Sequence, residues 1–235
     1  MIHSVLGADA KKVLKVLSQQ DFLRSFYLAG GTGCALYIGH RLSHDFDFFS
    51  QDEFEIIPVQ NSLRNLGRFV IDYSDANTLV GRFNGTKIGL LHYAYPLIEE
   101  SIQDLGVRVA SLVDIGCMKI DAISSRGTKR DFVDLFFILK KLGLDMKMFF
   151  GYFERKYGPD GFNRHHVLKS LVYFEDADKE PEPEMLVDFS WPATKRFFVE
   201  SVRMKFKEFT GKAQPREVER EKMGRAVAKH VTKRS

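Results

Sequence analysis

The stretch Leu28-Ala29-Gly30-Gly31-Thr32-Gly33-Cys34-Ala35-Leu36-Tyr37-Ile38-Gly39-His40-Arg41-Leu42-Ser43-His44-Asp45-Phe46-Asp47-Phe48-Phe49 carries the fold of this chain and its chemistry together. Before it, Phe26-Tyr27-Leu28-Ala29 is a short apolar run that meets the glycines and passes into a helix-like segment ending near Gly39. That order reads as strand, glycine turn, helix. Glycines allow close approach of the backbone to a ligand, and the N–H groups of a helix starting near Thr32 offer a site for phosphate oxygens. The aromatic stretch from Phe46 to Phe49 then reads as a second strand. Asp45 at its entry and Asp47 within it stand at i and i+2, which in a strand places both carboxylates on one face, about 6 to 7 Å apart. Two like charges that close repel each other, and a divalent cation relieves the repulsion. Mg²⁺ suits this arrangement because it takes one or two carboxylates together with substrate phosphates.

Working outward, residues 9–20 place Ala10, Val13, Leu14 and Leu17 at helical spacing, with Lys11, Lys12 and Lys15 on other faces. A weakly helical segment from Pro58 to Leu66 precedes strand candidates near 68–73, 78–83 and 86–93, and Asn84-Gly85 is a hairpin signal between the last two. Strands so closely spaced cannot all be parallel. From Ser111 the period changes to 3.6 and stays helical to about Phe174, with Ser111 and Asp114 marking a helix start. The acidic, proline-containing stretch at 176–184 reads as a loop or linker. The expected fold is α+β, a mixed-sheet lobe over residues 1–110 followed by a helical lobe over 111–190, with 191–235 a basic C-terminal helix or tail.

Composition sets outer bounds. With 235 residues, 44% hydrophobic and 28% charged, the chain can bury a proper core. No apolar run approaches the roughly 18 to 20 residues a membrane-spanning helix requires. The amphipathic N-terminus lacks the apolar core and cleavage site of a signal peptide, which reads as a cytoplasmic protein with no membrane partner. Cys34 and Cys117 have neither paired spacing nor a local histidine, so they are expected to be buried thiols. Residues 200–235 hold 11 Lys and Arg against 5 Glu, so the basic excess of the chain sits in its tail.

Other readings of the acids are weaker. A dehalogenase-type Asp-x-Asp nucleophile wants Gly or Thr after the second aspartate, where Phe48-Phe49 stands. His44-Asp45 resembles the centre of an HD-phosphohydrolase site without its companion histidines. His165 and His166, adjacent on a helix, point about 100° apart and cannot easily share a metal.

In the helical half, Lys119 and Arg126 fall on the stripe of Leu112, Ile115 and Ala122. A lysine on an apolar stripe needs an anion. Either a triphosphate or Asp131 and Asp134, at i and i+3 on the next helix, can supply it. Lys129 and Arg130 lie at a helix N-terminus, where positive charge is unfavourable unless an anion is near.

Taken together, LAGGTGCALYIGHRLSHDFDFF, MKIDAISSRGTKRDFVDLFFIL (118–139) and KSLVYFEDADKEPEPEML (169–186) resemble the nucleotidyltransferase-like AbiEii/AbiGii toxin family, within the DNA polymerase β-type nucleotidyltransferase superfamily. The resemblance spans roughly residues 20–190. It implies a minimal nucleotidyltransferase fold that moves a nucleoside monophosphate from a nucleoside triphosphate to a hydroxyl acceptor such as the 3′ end of tRNA or another RNA. It also implies that the chain is the toxin of a toxin–antitoxin or phage-defence system with a cognate antitoxin. Asp45 and Asp47 are then the ligands of Mg²⁺ or Mn²⁺, and Gly30, Gly31, Thr32, Arg41, Ser43, Lys129 and Arg130 hold the nucleotide. Lys119 stabilises charge on the phosphates, and Asp131 acts as general base or supplementary ligand. One departure stands out. The superfamily commonly places a third carboxylate on a later strand, and Lys87 to Tyr93 contains no acid. Asp131, Asp72 or His92 could stand in, one-metal chemistry could operate, or the fold could be a catalytically silent nucleotide- or RNA-binding module.

Overall fold

Alternating burial along the strands divides the molecule into two layers. The computed structural model describes residues 1–211. Helix α1 (Ala8–Leu17) buries Ala10, Val13, Leu14 and Leu17, as their spacing requires. Strand β1 (Tyr27–Leu28) runs into helix α2 (Gly30–Ile38), and strand β2 (Phe46–Ser50) returns antiparallel beside β1. Helix α3 (Ile56–Leu66) leads to β3 (Phe69–Asp75), β4 (Thr78–Phe83) and β5 (Thr86–His92). Asn84 and Gly85, both at positive φ, make the expected two-residue hairpin between β4 and β5. A second hairpin, β6 (Ile102–Asp104) and β7 (Val107–Val109), turns on Leu105 and Gly106, also at positive φ. Its arms are too short to show an alternation in sequence.

The seven strands form one mixed sheet in the order β3-β4-β5-β2-β1-β7-β6. Strand β2 runs parallel to β5, and β1 runs parallel to β7. Phe46 and Phe48 on β2, with Ile88 and Leu90 on β5, are buried on one face with the apolar residues of α1 and α3. Each such side chain contributes about 1.5–3 kcal/mol by leaving water. Asp47 and Phe49 therefore face the opposite side.

That side is covered by helices α4 (Leu112–Ser125), α5 (Lys129–Leu142), α6 (Met146–Tyr157), α7 (Arg164–Ser170), α8 (Glu175–Lys179) and α9 (Trp191–Gly211). Ser111 caps α4 by accepting the Asp114 N–H at 3.0 Å, as the sequence pattern predicts, and Thr128 caps α5 in the same manner. A core of Phe132, Phe149, Phe150, Phe153 and Phe198 joins these helices. Two sequence expectations change here. The stretch 176–184 is not all loop, because Glu175–Lys179 completes a short helix before Pro181 and Pro183 prevent continuation. The C-terminal segment also begins inside the fold, with Trp191, Phe198 and Val202 buried, while residues 212–235 of the basic tail lie outside the described residues.

After α8 the chain crosses back to the loop that follows α2. Leu42 N–H donates to the Glu184 carbonyl at 2.9 Å and Leu186 N–H to the His40 carbonyl at 2.8 Å, so residues 184–186 strap the loop that carries Arg41 and Ser43. Among the described residues no helix is long and apolar enough to cross a membrane.

Candidate active site

A cleft of about 630 Å³ separates the sheet from α4 and α5. Its floor is the junction of α2 and β2. Ala29 N–H donates to the Asp47 carbonyl at 3.0 Å, which locks the glycine turn to the acidic strand. Gly30 sits at φ +61°, and a Cβ there would lie 2.8 Å from Asp47 Oδ2. A Cβ on Gly89, the partner of Asp47 on β5, would lie 3.1 Å from Oδ1. Both oxygens of Asp47 therefore lodge against glycines, where any larger residue would crowd them. Gly31 serves a different neighbour, for a Cβ at that position would overlap the Arg41 guanidinium.

Asp45 and Asp47 both line the cleft and are half-buried. Among the described residues, neither carboxylate has an ion pair or a side-chain hydrogen bond. Burial holds the Asp47 carboxyl above its ordinary range; Lys119, Arg126 and Lys87 draw it down, and Asp45 pushes it further up. Facing the pair, α2 begins without a side-chain cap and without an acid in its first turn. Its first N–H groups are thus available to an anion, and the unpartnered carboxylates to a cation. This donor set, two carboxylates with open access, fits a hard divalent ion.

The wall opposite is built from a second pair of aspartates with the reverse character. Asp134 is fully buried and accepts from Arg41 Nε at 2.7 Å and Nη2 at 2.9 Å, from His40 Nε2 at 2.8 Å, and pairs with Lys119 Nζ at 2.7 Å. Asp131 accepts from Lys119 at 2.9 Å, from Arg126 Nε at 3.0 Å and from the Thr128 hydroxyl at 2.7 Å. These cations and hydrogen bonds outweigh the cost of burial and hold both carboxyls well below their usual range. Leaving His40 aside, Lys119, Arg41 and Arg126 set three positive charges against two negative ones, so this wall keeps a positive excess toward the cleft.

The residues singled out by the sequence distribute as follows. Gly30, Gly31, Thr32, Arg41, Ser43, Asp45, Asp47, Lys119, Arg130 and Asp131 all line one cleft. Thr32 and Ser43 are buried and share a hydrogen bond of 2.7 Å, and Thr32 also donates to the Asp45 carbonyl. They brace the residues that lead into the acidic strand. Lys119 reaches Asp131 and Asp134, so of the two anions its apolar stripe left open the aspartates are the ones in contact. Asp131 lines the cleft with its oxygens bonded to Lys119, Arg126 and Thr128 and its carboxyl held low, which speaks against the general-base and supplementary-ligand roles expected of it. Lys129 does not line the cleft. Its ammonium bonds the Glu180 carbonyl and lies over the Trp191 ring, while the Glu180 carboxylate accepts the Lys129 N–H at 2.8 Å and offsets the charge at the helix start. Asp72 is on β3, the far edge of the sheet, 3.7 Å from Arg82. His92 bonds the Gln51 carbonyl at 3.1 Å, and His166 the Ser124 carbonyl at 2.8 Å. Cys34 and Cys117 are buried thiols, that of Cys117 pushed up to about 12 by burial.

Several lining residues escape a sequence reading. Asp121 and Tyr93 meet at 3.4 Å toward the far end of the cleft, and Tyr93 continues to Tyr157 at 2.5 Å and edge-on to Phe49. Lys87 enters from β5. Behind the wall, Cys34, His40 and Asp134 offer ligand atoms within 4.8 Å of one another. Arg41 and Lys119 already occupy the Asp134 carboxylate, so a further cation there would meet two like charges. The cleft acids are the better metal candidates.

Such a mixed sheet with an acid pair opposite a glycine-started helix belongs to the nucleotidyltransferase class of α+β folds. Accordingly, the chain is similar in structure to MenT4, the nucleotidyltransferase toxin Rv2826c of Mycobacterium tuberculosis H37Rv, with a TM-score of 0.55 and 14% identity over 83% of this chain and 80% of that one. JHP933 from Helicobacter pylori aligns over 92% of this chain and 99% of its own, with 15% identity and a TM-score of 0.48. In sequence, the chain is 36% identical over 202 residues to the uncharacterized protein aq_aa25 of Aquifex aeolicus (strain VF5), covering 84% of this chain and 96% of that protein. Residues 90–210 match the family described as "Nucleotidyl transferase AbiEii toxin, Type IV TA system". This chain belongs to that family. The glycine turn and the acid pair lie before the matched stretch, so their geometry is a separate observation.

Proposed function

We propose that the cleft transfers a nucleoside monophosphate from a nucleoside triphosphate to a hydroxyl acceptor on RNA, with the 3′ end of tRNA the first candidate. The observation that carries this reading is the pairing of two opposite vacancies of charge across one floor: the unpartnered carboxylates of Asp45 and Asp47 and the uncapped first turn of α2. Asp45 and Asp47 hold Mg²⁺ or Mn²⁺, which supplies positive charge to the triphosphate when bound. Gly30, Gly31 and Thr32 present their N–H groups to phosphate oxygens, and exposed Arg130 and Arg126 attract the polyphosphate from the rim. Lys119 and Arg41 act through the field of the wall they build, because their hydrogen bonds are spent on Asp131 and Asp134. The tyrosines and Asp121 beyond Phe49 accommodate the nucleoside or the incoming acceptor.

As a family toxin, the chain is read as acting inside the cytoplasm and as answered by a cognate antitoxin. Gly89, at the register position where a strand acid would complete a triad, favours a second reading in which the fold binds nucleotide or RNA without turnover. One experiment separates them: incubation with labelled nucleoside triphosphates, Mg²⁺ and total RNA. Label is expected in RNA with the wild type and absent with Asp47→Ala. A folded wild type that transfers no label, or a variant that transfers as much, removes the enzymatic reading. Growth arrest on expression, relieved by Asp45→Ala, tests the toxin role.

A further inference from the structure

Among the cationic side chains lining the cleft, Arg41, Lys119 and Arg126 are bound to Asp131 or Asp134, and His44 contacts Glu184 at 3.2 Å. Lys87 and Arg130 have no ion pair among the described residues. Arg130 stands on the helical wall. Lys87 stands on the sheet, and the register fixes where. Phe46 pairs with Ile88 and Asp47 with Gly89 in the parallel ladder, so Lys87 is level with Asp45, on a strand about 4.8 Å away. Ile88 and Leu90 are buried in the opposite layer, which turns Lys87, Gly89 and Leu91 to the face that carries Asp47.

Gly89 supplies no acid at this position, and any side chain there would press on Asp47 and Leu91. A Cβ there would lie 3.1 Å from Asp47 Oδ1 and 3.0 Å from Leu91 Cδ1. The sheet thus offers two carboxylates and, one strand over, an exposed ammonium on a long side chain. Two carboxylates suffice for a single divalent ion, and a second ion beside them would be repelled by the lysine.

We propose that the site works with one divalent ion, held by Asp45 and Asp47, and that the Lys87 ammonium supplies the second positive charge on the phosphates. The proposal deepens, and rests on, the transfer reading above. In the step concerned, the acceptor hydroxyl oxygen bonds to the α-phosphorus. The bond from that phosphorus to the bridging oxygen of pyrophosphate breaks, with the electron pair leaving on pyrophosphate, and the hydroxyl proton passes to water. Lys87 donates hydrogen bonds to phosphate oxygens whose charge grows as that bond breaks.

Two measurements test this on the full chain. Mn²⁺ binding followed by electron paramagnetic resonance, with each of the four α,β-methylene ribonucleoside triphosphates in turn, is expected to give one ion per nucleotide-bound chain, and none on the chain for Asp47→Ala. In the RNA-labelling assay, Lys87→Ala is expected to lose about 100-fold, chiefly in kcat, while still binding one ion, and Lys87→Arg to restore most of the loss. Two ions bound to the wild type, or full transfer by Lys87→Ala, overturns the role of Lys87 and leaves nucleotidyl transfer standing. A folded wild type that binds neither analogue nor Mn²⁺ overturns both.

Discussion

The two aspartate pairs of the cleft have the same side chains and opposite circumstances. Asp131 and Asp134, on α5, are buried and saturated by Lys119, Arg41, Arg126, His40 and Thr128. Asp47 on β2 and Asp45 just before it are open to the cleft and have no cation of their own within bonding distance among the described residues. Buried charge with every partner supplied is architecture, whereas charge left without a partner in an open cleft is capacity to bind. The contrast separates positions whose loss should unfold the protein from those whose loss should silence it.

The sharpest way to break the comparison is Asp134→Ala. It strands Arg41 and His40 in the interior and should cost about 3–5 kcal/mol in denaturant unfolding, well beyond any surface substitution. Asp47→Asn should do the reverse. Transfer to RNA should fall about 100- to 1000-fold in a labelling assay, while the unfolding midpoint stays or rises. If Asp47→Asn unfolds the chain and Asp134→Ala does not, the assignment of the pairs is inverted. Gly30→Ala tests the junction between turn and strand: the left-handed backbone and the 2.8 Å approach to Asp47 should lower stability by about 1–2 kcal/mol and displace the carboxylate.

Acidity gives the finest discrimination. The carboxyls of Asp131 and Asp134 are lowered in the folded state, so their contribution is complete above the unfolded carboxylate value and is lost as pH falls below it. Asp47 is raised, so its ionised form disfavours folding at neutral pH and the penalty disappears on acidification. Unfolding curves from pH 7 down to pH 3 should show wild type losing stability, Asp134→Ala losing less, and the small advantage of Asp47→Asn vanishing toward the acid end.

What could be read in the sequence depended on how far apart the interacting residues stand. The glycine turn and the acid pair lie within one strand-helix-strand unit, and the Asn84-Gly85 hairpin is local, so residue types alone announce them. For Lys119 the apolar stripe demanded an anion, and the choice between triphosphate and aspartate needed the packing of α4 on α5. Lys129 misleads because its partner, Glu180, is 51 residues away beyond α8. Lys87 passes unnoticed in sequence because its place beside the acids comes from a parallel pairing that no local pattern encodes.

The strap of residues 184–186 over the loop between α2 and β2 has a consequence for synthesis. The last sheet strand ends at Val109 and the helical wall of the cleft at Leu142, but Leu42 N–H and the His40 carbonyl find their partners only in Glu184 and Leu186. A nascent chain can therefore assemble most of the fold on the ribosome, with His40 and Arg41 already on Asp134 and Ser43 on Thr32, before the backbone of this loop gains its last partners. The fold is thus finished late, and a truncation anywhere before Leu186 removes the backbone bonds that residues 184–186 make to His40 and Leu42.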